Sequence, residues 1–182
     1  MKTVTLERFL TFNPCWLEEV GGEERLREIG SRKKEWTALD VLALEEVSAG
    51  DRLRAVVRED FISKNVLFEF ALLCAEHALI TAKVTDERCW NAIKVKRAWM
   101  CGEASDGELV AARAAARAAA GDAAWAVAWY AADAAWASAW DAADAADAAR
   151  KIKGREGYSH ERAWQIETLK RMIVENEKEE QK

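Results

Sequence analysis

Residues 122–132 read DAAWAVAWYAA and residues 133–143 read DAAWASAWDAA, and a third copy opens as DAADAA at Asp144. An eleven-residue period is three helical turns at about 3.67 residues per turn, which predicts a straight or slightly right-handed α-helix rather than a heptad coiled coil. Alanine loses least on entering a helix, so the repeat has no other secondary structure open to it. At about 100° per residue, Trp125, Trp129, Trp136 and Trp140 fall within roughly 60° of one another. Asp122, Asp133, Asp144 and Asp147 lie beside or between them. The opposite side is almost wholly alanine, with Arg113 and Arg117 upstream on it, and permits close approach of another backbone. Gly121-Asp122 is either a C′ glycine followed by an N-cap or a glycine tolerated inside one helix. The two residue types together suit a break.

The remainder of the 182-residue chain follows the same preference, with a single proline at Pro14 and no alternating β-branched run. An all-α, multi-helix bundle in one domain, 1–182, is predicted. Short helices occupy 1–60, at Leu6–Phe12, Pro14–Val20, Glu23–Ile29, Thr37–Val47 and Ala49–Glu59, between Gly- and Asn-bearing turns. Two central helices follow in 63–101. The first, Ser63–Lys83, carries apolar residues around most of its circumference and is predicted to be the most buried. The second runs Asp86–Cys101 and ends at Gly102. Ser105 and Glu108 form an S-x-x-E capping box that opens the alanine-rich region, 105–150. Lys151–Gly157 reads as a connector, and a C-terminal helix, 159–178, displays the stripe Ile166, Leu169, Ile173.

Twenty-seven basic and 32 acidic residues, interspersed, leave a formal charge of −5 and no field that would draw the chain onto phosphate backbones or anionic lipid. Cys15, Cys74, Cys89 and Cys101 lack C-x-x-C pairing and read as reduced thiols. The start MKTVTLERFL lacks the apolar run of a secretory signal, and no stretch reaches 18 uninterrupted apolar residues, so a cytoplasmic protein is expected. No phosphate-cradling loop, dinucleotide fingerprint, nucleophile elbow or H-E-x-x-H motif occurs. His77 reads as a hydrogen-bonded core imidazole and His160 as a helix-start residue. Glu69 and Glu76 share a helix face beside His77 without a second cluster to complete a metal site, and Lys94, Lys96 and Arg97 read as a solvated face. No enzyme, metal or cofactor is expected.

The Trp/Asp face has two readings. The indoles could be core, with aspartates at the margin, or they could form an aromatic-acidic strip for a partner that offers Arg or Lys. EFALLCAEHAL (residues 69–79) followed by DERCWNAIKVKRAWMCGEASDGELVAARAAARAAA (86–120) resembles the alanine-rich immunity proteins of bacteria. The match rests on Cys74, Ala75, Ala78, Leu79, Ala92, Ile93, Arg97, Trp99, Gly102 and Glu103. The upstream segment and the DAAWAxAW repeats are similar to small proteins of tailed phages and prophages. These resemblances carry over no catalytic or binding residue. They imply a phage- or mobile-element protein that neutralises a bacterial toxin or defence factor by steric protein-protein contact, and the Trp/Asp face itself supplies the expected binding residues, Trp125, Trp129, Trp136, Trp140, Asp133 and Asp144. Two rivals stay open, a sequestering protein for a small nucleotide signal and a hydrolase with an unrecognised site. Self-association also stays open.

Overall fold

The computed structural model describes residues 1–12, 22–119 and 140–181, with the backbone alone at 117, 119 and 140–153. Among these residues the protein is all-α, as the composition requires. The helices are α1 (Leu6–Leu10), α2 (Gly22–Gly30), α3 (Ala38–Leu42), α4 (Ala49–Val56), α5 (Lys64–Thr81), α6 (Glu87–Met100), α7 (Asp106–Ala119) and α8 (Trp140–Glu180). Two two-residue strands, β1 (Thr3–Val4) and β2 (Trp36–Thr37), pair antiparallel with Val4 opposite Trp36. No helix among the described residues is long and apolar enough to cross a membrane.

Local chemistry starts and stops these helices. Thr5, Ser48 and Asp86 cap α1, α4 and α6, each side chain accepting from a backbone N–H two or three residues on. Thr37 and Asp40 form a reciprocal capping box at α3, as do Ser105 and Glu108 at α7. The α6 terminus closes with Glu103 N–H on the Ala98 carbonyl at 2.8 Å, which places Gly102 at φ 75. At the end of α5 the same closure joins Val84 N–H to the Leu79 carbonyl at 3.0 Å, but the left-handed residue is Lys83, φ 54.

Two compact units divide the chain, residues 1–67 with 166–182 and residues 68–165, the boundaries falling inside α5 and α8. In the first unit Phe9, Ile29, Trp36, Leu42, Leu53, Val56 and Phe61 are buried. The predicted C-terminal stripe is buried as well, with Ile166, Leu169 and Ile173 at 4%, 0% and 6% exposure. Trp36 satisfies its indole N–H on the Gly30 carbonyl at 3.1 Å. In the second unit α5 buries Phe70, Leu72, Cys74 and Leu79 completely, in accord with its apolar circumference, although Ile80 is exposed. Phe70, Leu72 and Leu79 each contribute about 1.5–3 kcal/mol of burial. Helix α6 packs along α7, where Ala92 meets Ala116. Cys74 and Cys89 are buried free thiols and Cys101 an exposed one, while Cys15 lies outside the described residues.

Some expectations are corrected. The connector at Lys151–Gly157 shrinks to one residue: α8 is helical on both sides of Gly154, which alone leaves helical geometry at φ 66, ψ −155. His160 therefore sits inside a helix, exposed, and not at a helix start. Helix α3 stops at Leu42, well short of Val47. Lys96 is buried at 4% exposure and Arg97 is ion-paired, so their part of α6 is no solvated face. Pro14–Val20 and the Gly121-Asp122 junction lie outside the described residues.

Candidate functional site: a histidine–carboxylate relay and an arginine clasp

The polar side chains of the second unit gather on α5, α6 and the 155–165 part of α8. His77, on α5, places Nδ1 2.7 Å from Glu161 Oε2, and its ring stacks on Trp164 with centroids 3.9 Å apart and planes 8° off parallel. Glu161 is 3% exposed and its other oxygen accepts from Gln165 Nε2 at 3.0 Å. Gln165, fully buried, accepts from Arg162 Nη1 at 3.1 Å, and Arg162 Nε donates to the Tyr158 hydroxyl at 3.3 Å. The chain imidazole, carboxylate, amide, guanidinium, phenol is self-consistent in one direction. A flipped Gln165 amide would set donor against donor.

Glu69 and Glu76 share a face of α5, as their spacing predicts, and Arg97 of α6 closes on both. Its Nη2 lies 2.8 Å from Glu69 Oε1 and its Nη1 2.6 Å from Glu76 Oε1. The hydrogen bonds to Glu76, then those to Glu69, outweigh desolvation and raise the Arg97 pKa above its ordinary value. Beside it Lys96 Nζ lies 4.0 Å from the Trp99 ring centroid and 4.8 Å from that of Phe68. Sequence reasoning had the two glutamates but not their partner, because pairing across helices is set by packing rather than by spacing. The spacings of Tyr158, Glu161, Arg162 and Gln165, three or four apart, were the one local signal for the relay.

The residues singled out for binding are placed differently. Trp125, Trp129, Asp133 and Trp136 lie outside the described residues. Trp140 and Asp144 belong to the helical backbone of α8. No group of three or more His, Cys, Asp or Glu side chains among the described residues could hold a metal. The first unit contains an apolar cavity of about 60 Å³ bordered by Val4, Phe9, Ile29, Trp36 and Phe61, and a hollow of about 250 Å³ bordered by Ile62, Ser63, Ile173 and Glu177.

Fold and polar chemistry together define an all-α, multi-helix protein in which Arg97 is clasped by two glutamates and His77 is held against Glu161. Comparison with family models, with curated proteins and with solved structures finds no match.

Proposed function

We propose that the chain is a non-enzymatic helical binding protein of a phage or mobile element, which neutralises a bacterial toxin or defence factor by covering its surface with the Trp/Asp face of the repeat. The observation that carries this reading is the repeat itself, whose spacing would set four indoles and the aspartates between them on one face of a helix. Alanine already favours the helix, so the tryptophans answer to something other than helix formation. The backbone of α8 is in keeping: it is helical from Trp140, so Trp140, Asp144 and Asp147 fall at i, i+4 and i+7, on a single face. Indole faces attract cations and carboxylates pair with them, so the matching surface is one rich in Arg and Lys. The resemblance to alanine-rich immunity proteins supports the same reading. Glu69, Glu76 and Arg97, and His77 with Glu161, are occupied in holding helices together and fit a scaffold role.

Affinity capture from bacterial lysate, run beside thermal melts on alanine variants of Trp125, Trp129, Trp136 and Trp140, tests the proposal. At least one variant is expected to melt like the parent and yet bind the captured protein about 2 kcal/mol more weakly. Uniform loss of stability by about 3–5 kcal/mol, with no binding-selective variant, would assign the indoles to the core.

A further inference from the structure

The apolar cavity of the first unit, about 60 Å³, is faced only by carbon among the described residues. Its floor is made by the buried rings of Phe9, Trp36 and Phe61 with Val4, Ile29 and Ala55. The half-buried side chains of Leu6, Leu26, Val41, Leu44 and Val47 bound its outer side. Polar residues at its edge turn their polar atoms elsewhere: Thr5 caps α1, Asp51 is bonded to Ser48 and Arg54, and Arg52 Nη1 donates to the Leu42 carbonyl at 2.8 Å. The walls are set in advance. Trp36 is fixed by its bond to the Gly30 carbonyl at 3.1 Å and by its place opposite Val4 in the strand pair. Gly30 serves the same wall, because a Cβ there would lie 2.6 Å from Leu6 Cδ1, and its absence gives the Leu6 side chain its seat against α2. Water would find no hydrogen-bond partner in such a space, and an empty space forfeits the dispersion contacts of its lining.

We propose that this cavity binds a small, neutral, apolar molecule the size of a single aromatic ring or a branched alkyl group. The volume is roughly four to six times what one water needs, which is room for about that many non-hydrogen atoms. A charged or strongly polar ligand does not suit it, since its polar groups would be buried without partners. A broad protein interface suits it no better. Leu26, Val41 and Val47 each adjoin an ion-paired residue in the chain, Arg25, Asp40 and Glu46, and an apolar partner surface would have to desolvate those pairs. The site lies wholly within the first unit and is independent of the Trp/Asp repeat, so each inference stands if the other falls.

The test is titration of the full chain with benzene, followed through the methyl NMR signals of Val4, Ile29 and Val41, with sodium benzoate as a parallel arm. Those signals are expected to shift to saturation with benzene and to stay in place with benzoate, which has the same ring and a charge. Ala55→Leu fills the space from its floor and should weaken benzene binding about tenfold or more. If Ala55→Leu fails to fold, Val41→Phe, which fills it from the half-buried outer side, is read in its place. Absence of a saturable benzene shift in the parent would show the space filled by the chain itself and overturn the proposal. Benzoate binding as tightly as benzene would overturn it too, as would undiminished benzene binding in a folded filled variant.

Discussion

Arg97 is where a single side chain does most to join two helices, because it satisfies two carboxylates that would otherwise repel along one face of α5. Arg97 and Glu69 remain about a third exposed and Glu76 about a quarter, so the loss on Arg97→Ala should fall between that of a surface pair and a buried one, about 1–2 kcal/mol. Arg97→Lys should recover little of it, since a compact ammonium cannot fork to both partners. Urea unfolding of the two variants measures this. Asp86 gives the pH counterpart. Arg88, through its guanidinium and then its backbone N–H, holds the Asp86 carboxyl at about 2 against an ordinary 3.8. A lowered carboxylate pKa stabilises the fold above its unfolded value, and the effect drains away as pH falls from about 4 toward 2. An NMR titration should place the Asp86 midpoint near 2, and Arg88→Ala should move it up. A midpoint unchanged by Arg88→Ala would remove the ion pair as its cause. The clasp was half legible in the sequence, since the shared face of Glu69 and Glu76 is a matter of spacing. Glu161, 84 residues from His77, gave no such signal.

Capped helix starts were the most readable feature at the scale of elements, because caps are local: Ser48, Asp86 and Ser105 each announce the helix that follows, whereas the ends of α1, α3 and α4 fall earlier than their patterns suggest. What stayed hidden were devices that depend on one dihedral angle. Gly154 and its neighbours read as a loop, yet a single glycine at φ 66, ψ −155 suffices to break the helix direction while both flanks remain helical. A Cβ there would meet nothing within 4 Å, so the cost of Gly154→Ala is one of backbone conformation, about 1–3 kcal/mol. Lys83 offers the inverse experiment, since it occupies at φ 54 a position that glycine prefers. Lys83→Gly should stabilise by up to about 1 kcal/mol, the relief of a left-handed L-residue at a helix end. Thermal melts of the two variants should move in opposite directions. The β1–β2 pair was invisible for another reason: two residues a side are too few to display alternation, and Trp36 is held as much by the Gly30 carbonyl as by the ladder.

For the whole molecule, composition alone decided the fold class, and the described residues of this alanine-rich, almost proline-free sequence do fold as helices. We propose that function is written elsewhere, in a repeat whose chemistry is distinctive but whose purpose no motif spells out. If that face recruits a basic partner, its aspartates matter through charge. The most direct measurement is therefore paired binding and melting of the charge-reversed double variant Asp133→Lys/Asp144→Lys. The melting temperature is expected to stay close to that of the parent, with loss of the captured bacterial protein, because introduced lysines repel the partner's cations. Capture at parental strength by a normally folded double variant would contradict it.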